Sequence, residues 1–481
     1  MLGRSISAGT AEAPAIAVIG GGFAGSSLAY FLTRSGADLP PVLVFEPRGS
    51  LGGGLAYSTT DPSHRINVPA ANMSLLPDDD GHFARWLAAD AVAALDQTST
   101  LADGRCFPAR ALFGRYVAEQ LAQPLADGRI IHRRTRVRTI EREAELYRIT
   151  CSDGTAFFAQ ILVIATSHPP PSPPGNLSKA FAGRPKFIGN PWAEDTLGGI
   201  DSTDKVLIVG TGLTMADMVA SLTAKGHHGP ILAVSRRGQR SHGHPATKLE
   251  PAGDFINPPS TSALSLLRRI RQAVGEAAAR GEGWQGVFDK LRAQGTEIWG
   301  ALSHPERMRL VRHLRPYWDT HRFRVAPQIE SVLERRIAEG TLKIAAARVT
   351  GAELDGGQMR VGLRFRHGPA VAEAFDAVIA TTGPAHDSIL GSQPYLAALA
   401  TAGLLQLDPT RLGLLVDRHS RAIGIDGPAE GLFVAGPLAR GTFGELMGLP
   451  EVAKHALLVA REIAELAAEG RLLTEDAAAV G

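Results

Sequence analysis

The stretch IAVIGGGFAG, residues 16–25, decides the fold of this chain. Four residues of strand character run into three glycines at the spacing Gly20-x-Gly22-x-x-Gly25, and apolar residues at helical spacing follow. Gly20 permits a tight turn, Gly22 lets an anion approach the backbone, and Gly25 lets the helix pack close to the strand. The stretch therefore predicts a strand, a glycine turn and a helix whose N-terminus faces a pyrophosphate.

A second apolar strand, residues 42–45, ends in an acidic residue that bears on cofactor identity. Glu46 lies 21 residues after Gly25. A carboxylate at this place accepts hydrogen bonds from the adenosine ribose hydroxyls and repels a 2′-phosphate. We therefore expect the first unit to bind FAD or NAD rather than NADP.

The same plan occurs a second time. Residues 206–222 again give a strand, a turn with Gly210 and Gly212, and a helix, and the tetrapeptide Val-Ile-Ala-Thr occurs at both 163–166 and 378–381. Each unit also contains short alternating strands before its Ala-Thr strand end. The pattern predicts an α/β protein with two Rossmann-like dinucleotide-binding domains, each with an antiparallel β insertion.

The two copies differ where the cofactor is selected. Glu46 lies 26 residues after Gly20, and Arg236 lies 26 residues after Gly210, with Arg237 next to it. Two guanidinium groups are suited to bidentate capture of a 2′-phosphate. The second site is therefore predicted to take NADPH, which leaves FAD for the first.

Bulk properties exclude several classes of protein. The chain has 481 residues, 44% hydrophobic and 20% charged, with a net charge of +2, so neither nucleic acid nor a membrane surface is indicated as a partner. Cys106 and Cys151 are the only cysteines, which excludes a Cys-x-x-Cys dithiol, a thiolate zinc site and an iron-sulfur cluster. No metal site is predicted. Residues 1–13 lack the apolar core of a secretory signal and suggest a flexible leader on a cytoplasmic protein.

Residues 245–338, inside the second unit, are predicted to be an almost wholly helical insertion. Ser303-x-x-Glu306 is typical of a capping box, and an apolar stripe formed by Met308, Val311, Leu314 and Trp318 is expected to be core. Most arginines of this segment are expected on a solvated face. A further hypothesis is that the end of the segment faces the active site or an anionic group, through His321, Arg322 and Arg324.

Three stretches carry a resemblance to known proteins. They are GGGLAYSTTDPSHRINVPA at 52–70, VLIVGTGLTMADMVASL at 206–222 and YWDTHRFRVAP at 317–327. The chain resembles two-dinucleotide-binding-domain flavoproteins, in particular a bacterial FAD/NAD(P)-binding family, and at a greater distance class B flavin monooxygenases. The resemblance implies that NADPH reduces FAD and that O2 adds to the flavin as a C4a-hydroperoxyflavin, which oxygenates a small molecule, with N-hydroxylation as one candidate reaction.

The resemblance also implies domain boundaries and further cofactor contacts. The FAD-binding domain would comprise 14–170 and 385–472, and the NADP-binding domain 171–384. The strand that ends at Gly436 and the helix that opens at Leu449 are similar to the closing FAD-binding segment of these flavoproteins. The remaining implied contacts are Thr166 for FAD and Thr214 for NADP.

One candidate catalytic residue lies in the long loop after the second strand. Asn67 belongs to a pattern similar to the Asn-x-Pro of flavin-containing monooxygenases, where the asparagine lies next to the flavin ring; an ordinary turn asparagine is the alternative. The monooxygenases carry Phe-x-Gly-x-x-x-His before the NADPH domain, whereas here the last position is Ala193. Two alternatives therefore stay open: an FAD/NADPH oxidoreductase without oxygen insertion, and a non-catalytic flavin-binding protein. Substrate and oligomeric state are not indicated.

Overall fold

The computed structural model describes residues 15–169, 171–193, 195–383 and 388–470, so the predicted leader lies outside the described residues. The described part is built around two β-sheets, each flanked by helices. This arrangement confirms the predicted α/β class with two Rossmann-like units. No helix in the described ranges combines the length and the apolar character needed to cross a membrane.

The strands, in chain order, are β1 Ala15–Ile19, β2 Val42–Phe45, β3 Ile130–Arg133, β4 Val137–Glu143, β5 Leu146–Cys151, β6 Ala156–Ile164, β7 Phe187–Ile188, β8 Val206–Val209, β9 Ile231–Ser235, β10 Leu342–Asp355, β11 Gln358–Phe365, β12 Ala370–Phe375, β13 Ala377–Ala380, β14 Arg421–Gly424 and β15 Gly427–Val434.

The α-helices, in chain order, are α1 Phe23–Leu32, α2 His82–Leu87, α3 Asp90–Ala93, α4 Arg110–Gln120, α5 Ala122–Ala126, α6 Gly175–Phe181, α7 Leu213–Ala224, α8 Ala263–Ala279, α9 Gln285–Ala293, α10 Gly295–Ala301, α11 His304–His313, α12 Arg315–Arg322, α13 Pro327–Ala338, α14 Pro394–Thr401, α15 Arg440–Phe443 and α16 Leu449–Ala468.

The first sheet has the order β14-β15-β6-β1-β2-β3, and β15, β6, β1, β2 and β3 run parallel. The hairpin β4-β5 joins it through an antiparallel pairing of β5 with β6. Alternate residues of β1 enter two different hydrophobic clusters: Ile16 and Val18 pack with α1 and α16, whereas Ala17 and Ile19 pack on the opposite face. Both faces are therefore covered, which explains the continuous apolar run of this strand.

The second sheet has the order β12-β11-β10-β9-β8-β13-β7, with five parallel strands from β7 to β10 and an antiparallel meander β10-β11-β12 at the other end. Its five parallel strands hold β8 between β13 and β9, as β1 is held between β6 and β2. Each sheet thus carries its own antiparallel insertion, as the internal repeat predicted.

Six helices lie between β9 and β10. The last of them, α13, packs against α7 and leads directly into β10, so it serves as the crossover helix of the second unit. The other five of these six helices, α8–α12, are not part of the Rossmann plan. They share a small hydrophobic core of their own around Phe255, Leu266 and Leu291. We call α8–α12 the helical insertion.

The predicted capping box at the start of α11 is wrong. Ser303 is the N-cap of α11 but makes no side-chain capping hydrogen bond. Glu306 instead accepts a hydrogen bond from the backbone N–H of Ala263, the first residue of α8, at 2.8 Å. A carboxylate at a helix N-terminus is stabilised by the helix dipole, so Glu306 caps the neighbouring helix rather than its own.

Candidate functional site

The first glycine turn joins β1 to α1 at the carboxyl edge of the first sheet. Gly20 has φ +107°, and its N–H donates to the carbonyl oxygen of Phe45 on β2 at 3.0 Å. A Cβ at Gly20 would lie 2.8 Å from the carbonyl oxygen of Ala165 on the other side. Gly22 is the N-cap of α1. The backbone of the turn is therefore fixed by both neighbouring strands, and α1 begins directly above it.

Gly25 lies in the first turn of α1, where a Cβ would overlap the carbonyl oxygen of Gly20. The absence of a side chain at Gly25 is what lets α1 pack this close to the end of β1. The motif glycines thus expose the N-terminal N–H groups of α1 at the sheet edge, which is the arrangement that binds anions in this class of fold.

Glu46 follows β2 and lies beside the first glycine turn. Its side chain is buried, with 4% of the residue exposed. One carboxylate oxygen accepts from the Gly21 N–H at 3.2 Å, and the other accepts from the Arg48 N–H at 3.0 Å and the Arg48 guanidinium at 3.1 Å. The structure therefore holds a fixed negative charge next to the turn.

Four neighbouring parallel strands end side by side at this edge, in the order β15-β6-β1-β2. Their ends carry four of the predicted FAD contacts: Gly436, Thr166, Gly20 and Glu46. Thr166 accepts a hydrogen bond from the hydroxyl group of Tyr395 at 3.2 Å. The sheet order therefore brings together residues that are up to 416 positions apart in the sequence.

The N-terminal turns of α1 and α16 meet at Gly436. A Cβ at Gly436 would lie 2.6 Å from the Cβ of Ala24 in α1 and 3.9 Å from Val452 in α16. Leu449 is the first residue of α16, and Gly448 is its N-cap. Two helix N-termini, each with a partial positive charge, thus converge at the predicted FAD edge.

The second glycine turn repeats the construction of the first. Gly210 has φ +120°, its N–H donates to the carbonyl oxygen of Val234 on β9 at 2.8 Å, and a Cβ there would overlap the carbonyl oxygen of Thr381. Gly212 is exposed, with no heavy atom of the described residues within 4 Å of its Cβ position. Thr214 is half-buried in the first turn of α7. The space in front of α7 is therefore open.

The hydrogen bonds correct the predicted register between the two copies. Gly20 bonds to Phe45 and Gly210 bonds to Val234, so the residue that corresponds to Glu46 is Ser235 rather than Arg236. Counting residues from the first glycine gave the wrong equivalence, because the second unit is one residue shorter between that glycine and the strand residue that bonds to it.

Arg236 follows β9 and is exposed. It makes no hydrogen bond or ion pair with any of the residues that the structure describes. The guanidinium of Arg237 lies 5.7 Å from the ring centre of Tyr317. Ser235 accepts a hydrogen bond from the Thr211 hydroxyl at 2.8 Å, which fixes the turn below the two arginines.

The candidate catalytic residue Asn67 lies at the border between the two units. It is half-buried, and its carbonyl oxygen accepts from Nε2 of His244 at 3.0 Å. Burial lowers the pKa of His244 to about 4, so this ring is neutral at physiological pH. The side-chain amide of Asn67 makes no hydrogen bond within the described ranges.

A buried polar contact between the two units was missed by sequence reasoning. Arg110 on α4 pairs with Asp217 on α7 at 2.9 Å, and Asp217 is only 2% exposed. Ser221, one turn later on α7, donates to Asp61 at 2.5 Å and contacts Nε2 of His64 at 3.1 Å. Burial raises the pKa of Asp217 and lowers that of His64. The sequence held one signal of this contact, which is that Asp217 and Ser221 are polar positions on the otherwise apolar helix α7.

The arginines at the end of α12 divide between two roles. Arg322 is buried and donates a hydrogen bond at 2.9 Å to Glu445, which lies in the segment just before α16. Arg324 forms a two-point ion pair with Asp289 inside the helical insertion, at 3.0 and 3.2 Å. His321 contacts the carbonyl oxygen of Tyr317 at 2.7 Å through Nδ1. The prediction that these side chains face the active site or an anionic group stays a prediction, and the structure shows that Arg322 and Arg324 are each paired with a carboxylate of the chain.

Comparison with known proteins supports the dinucleotide-binding reading of the first unit. Residues 17–169 match the family model described as FAD-NAD(P)-binding, which confirms the prediction for this segment. A search of curated protein sequences found no match to this chain.

Solved structures with a similar fold include an N-hydroxylase and a monooxygenase. The ornithine N-hydroxylase of Kutzneria sp. 744, described with reduced FAD, NADP+ and L-ornithine, is 18% identical with a TM-score of 0.64, over 95% of this chain and 100% of that one. The L-lysine 6-monooxygenase of Pseudomonas syringae is 18% identical with a TM-score of 0.62, over 96% and 100%.

A reductase shares the fold as well. The bacillithiol disulfide reductase of Staphylococcus aureus is 15% identical with a TM-score of 0.53, over 95% of this chain and 99% of that one. At such identities the likeness concerns the fold alone, and it extends along nearly the whole chain.

Proposed function

We propose that this protein is a cytoplasmic, NADPH-dependent FAD monooxygenase that oxygenates a small molecule, with N-hydroxylation as the candidate reaction. The observation that carries the proposal is the pair of equivalent glycine turns, one beside the buried Glu46 and the other below the exposed Arg236. The FAD-binding domain would comprise 14–170 and 385–472, and the NADP-binding domain 171–384 with the helical insertion.

The first unit fits FAD. The N–H groups at the start of α1, exposed by Gly20, Gly22 and Gly25, would bind the pyrophosphate, and Glu46 would accept hydrogen bonds from the ribose. Thr166, Gly436 and Leu449 would line the flavin side of the site, where the N-terminus of α16 favours negative charge on the bound group. A side chain at Gly20 or Gly25 would clash with neighbouring backbone atoms. The two glycines therefore keep the backbone N–H groups of the turn accessible to a ligand, which supports this assignment.

The second unit fits NADPH. The open space in front of Gly212 and Thr214 would hold the pyrophosphate at the N-terminus of α7, above Gly210. Arg236 and Arg237 would bind the 2′-phosphate, and the absence of a carboxylate partner for Arg236 in the described chain leaves its guanidinium available. Ser235, in the place of Glu46, removes the negative charge that would repel a 2′-phosphate.

A bound FAD would supply an acceptor for the hydride of NADPH and, in its reduced form, reactivity towards O2. The contribution of the chain is to hold the two cofactors, to exclude water and to provide hydrogen bonds at the flavin edge. Asn67 is proposed for such a hydrogen bond, because its side-chain amide is available at the border of the two units.

Oxygen insertion is favoured over disulfide reduction by the cysteines. Both Cys106 and Cys151 are free, and Cys151 is buried, so the chain offers no cysteine pair of the kind that exchanges with a disulfide. The shared fold of the N-hydroxylase and the monooxygenase supports the same choice. An oxidoreductase that passes electrons to another acceptor is the second candidate, supported by the fold likeness to a reductase.

The candidates are separated by reducing the purified protein with NADPH under anaerobic conditions and then mixing it with O2. A monooxygenase is expected to show a transient absorbance that differs from both oxidised and reduced flavin. Fast reoxidation without a transient would support the oxidoreductase. Failure of NADPH to reduce the flavin would contradict both and leave a non-catalytic flavin-binding protein.

The cofactor assignment predicts the behaviour of a variant. Arg236→Asp with Arg237→Ala should shift the preference from NADPH towards NADH, because charge-assisted hydrogen bonds of about 1.5–3 kcal/mol each are lost. The measurement is the ratio of kcat/KM values for the two coenzymes. Arg348→Asp, an exposed arginine on β10, is the matched control and should leave the ratio unchanged. An unchanged ratio in the double variant would count against the second site.

A further inference from the structure

The helical insertion and the segment before α16 line a cavity of about 570 Å³. This volume is in the range of sites that take drug-sized ligands. Its wall is apolar and rich in aromatic side chains, among them Trp284, Phe288, Trp299 and Trp318. The cavity is not one of the two glycine-turn sites, and no part of the proposed cofactor binding uses it.

The apolar stripe predicted to be core lines this cavity instead. Val311, Leu314 and Trp318 border the open space, and Met308 is exposed. Helices α11 and α12 separate at Leu314 rather than forming one packed helix. Protein interiors are normally close-packed, so apolar side chains that border an open space of this size indicate a binding site for an apolar group.

One wall of the cavity carries a buried positive charge. Arg440 begins α15, directly after the segment that follows β15, and is 7% exposed. Its guanidinium makes no hydrogen bond or ion pair with the residues that the structure describes, and its Nε is fully buried without a partner. Burial, followed by the nearby charge of Arg315, lowers the pKa of Arg440 to about 10, so it stays charged at neutral pH.

Two carboxylates, Asp319 and Glu445, attract Arg440 electrostatically, but neither forms an ion pair with it. Glu445 accepts from Arg322 at 2.9 Å, and Asp319 lies 3.4 Å from Arg315. A buried guanidinium without a hydrogen-bonded carboxylate is costly, since the hydrogen bonds lost to water are not replaced. The geometry therefore leaves one position in the cavity wall where an anionic group of a ligand would supply the missing interaction.

We propose that the cavity binds an apolar organic acid, with its carboxylate on Arg440 and its apolar body among the aromatic side chains of α9, α10 and α12. A guanidinium pairs with a carboxylate through two parallel hydrogen bonds, which fixes the orientation of the acid. The apolar wall matches a hydrocarbon or aryl body and disfavours a free ammonium group, which would lose its hydration there.

The place of Arg440 connects the cavity to the proposed flavin edge. The segment between Gly436 and Leu449 contains Arg440, Gly444 and Glu445, and all three line the cavity. The indole N–H of Trp299 in the insertion donates to the carbonyl oxygen of Gly441 at 2.8 Å. That the bound acid is the molecule oxygenated rests on the proposed monooxygenase function, and not on N-hydroxylation, which requires a nitrogen that an apolar acid lacks; that the cavity binds the acid rests on neither.

The binding test uses isothermal titration calorimetry of the purified full-length protein with decanoate, decanol and decylamine, in the absence of NADPH. Decanoate is expected to bind, and decanol and decylamine at least tenfold more weakly. Arg440→Met should weaken decanoate binding at least tenfold and bring it close to decanol. The matched control is Arg312→Met, an exposed arginine on α11 outside the cavity, which should bind decanoate like the wild type.

A second variant protects the test against misfolding at Arg440. Val311→Trp adds bulk to the cavity wall from α11, leaves Arg440 in the chain, and should weaken decanoate and decanol alike. Equal binding of decanoate and decanol by the wild type, or undiminished decanoate binding by Val311→Trp and by a folded Arg440→Met, would overturn the proposal.

NADPH oxidation with and without decanoate separates this proposal from the proposed function. Oxidation without decanoate binding would leave the monooxygenase standing and refute the cavity assignment. Decanoate binding without any NADPH oxidation would support the cavity and count against the redox function.

Discussion

At the residue scale, replacing a helical glycine by alanine is expected to have opposite effects on stability in two helices of this protein. Gly25 in α1 has the carbonyl oxygen of Gly20 in its Cβ position, whereas Gly275 in α8 is exposed with no neighbour within 4 Å. Gly25→Ala should therefore lower the free energy of unfolding by about 1–3 kcal/mol through overpacking. Gly275→Ala, the matched control, should raise it by about 0.5–1 kcal/mol because helical glycine is unfavourable. Urea unfolding of both variants provides the check, and equal midpoints would contradict the close helix–strand contact.

Single residues also show what sequence can and cannot predict. The motif glycines were predictable because their positions exclude side chains for local geometric reasons. The significance of Arg440 was not predictable, because it depends on the absence of a hydrogen-bonded carboxylate, and that absence arises only because Glu445 binds Arg322 and Asp319 pairs with Arg315. Arg236 shows an intermediate case: it is exposed after β9, where a 2′-phosphate could reach it, but its predicted register with Glu46 is wrong.

At the scale of elements, His455 fastens α16 to the end of β15. Its Nδ1 accepts from the Gly436 N–H at 3.1 Å, and Nε2 contacts the hydroxyl group of Ser420 at 3.1 Å, which itself donates to Val434 at 2.6 Å. A ring that accepts at Nδ1 carries its proton on Nε2 and is neutral. Burial lowers its pKa from 6.5 to about 3.

This histidine predicts a pH dependence of stability. Below pH 6.5 the unfolded chain binds a proton at His455 that the folded chain does not, until the pH falls to about 3. The contribution of this group to stability is therefore present above pH 6.5 and declines by about 1.4 kcal/mol per pH unit within that window. Urea unfolding at pH 7, 6 and 5 should show His455→Gln with a shallower decline than the wild type. His313→Gln, on the exposed face of α11, should keep the wild-type slope; identical slopes in all three proteins would contradict the prediction.

Secondary-structure elements were predictable from the sequence where the residues of a single segment determine their structure. The strands and glycine turns follow from local periodicity, and both were found. The capping box failed because Glu306 reaches a different helix, and the stripe of Val311, Leu314 and Trp318 was assigned to core because periodicity cannot distinguish a wall from a filled interior.

At the scale of the whole molecule, the two units are joined by the buried pair Arg110 and Asp217. Arg110→Met should lower the free energy of unfolding by about 3–5 kcal/mol, because it leaves Asp217 buried without its partner. The double variant with Asp217→Leu should recover most of that loss. Arg115→Met is the control on the same helix: Arg115 pairs with Glu119 at the surface, so the loss should stay within about 0.5 kcal/mol. Chemical unfolding of all three variants tests this, and a loss in Arg110→Met no larger than in the control would contradict it.

The repeat in the sequence was sufficient to predict two units, because each carries a complete strand-glycine-helix start. Their mutual packing was not predictable, since it depends on a loop of the first unit and the polar positions of α7 meeting across the chain. For the same reason the cavity, formed by α8–α12 with the segment before α16, had no signature in any single stretch.

The discontinuous first sheet has a consequence for how the protein forms during translation. All strands of the second sheet lie between residues 187 and 380, whereas the first sheet needs β14 and β15, which begin at Arg421. The ribosome therefore releases everything that the second sheet requires while the first is still open on the side of β6. Since domains fold as units when their chain is available, the second unit can complete first, and the edge of β6 that pairs with β15 stays unpaired until residues 427–434 emerge, roughly several seconds later.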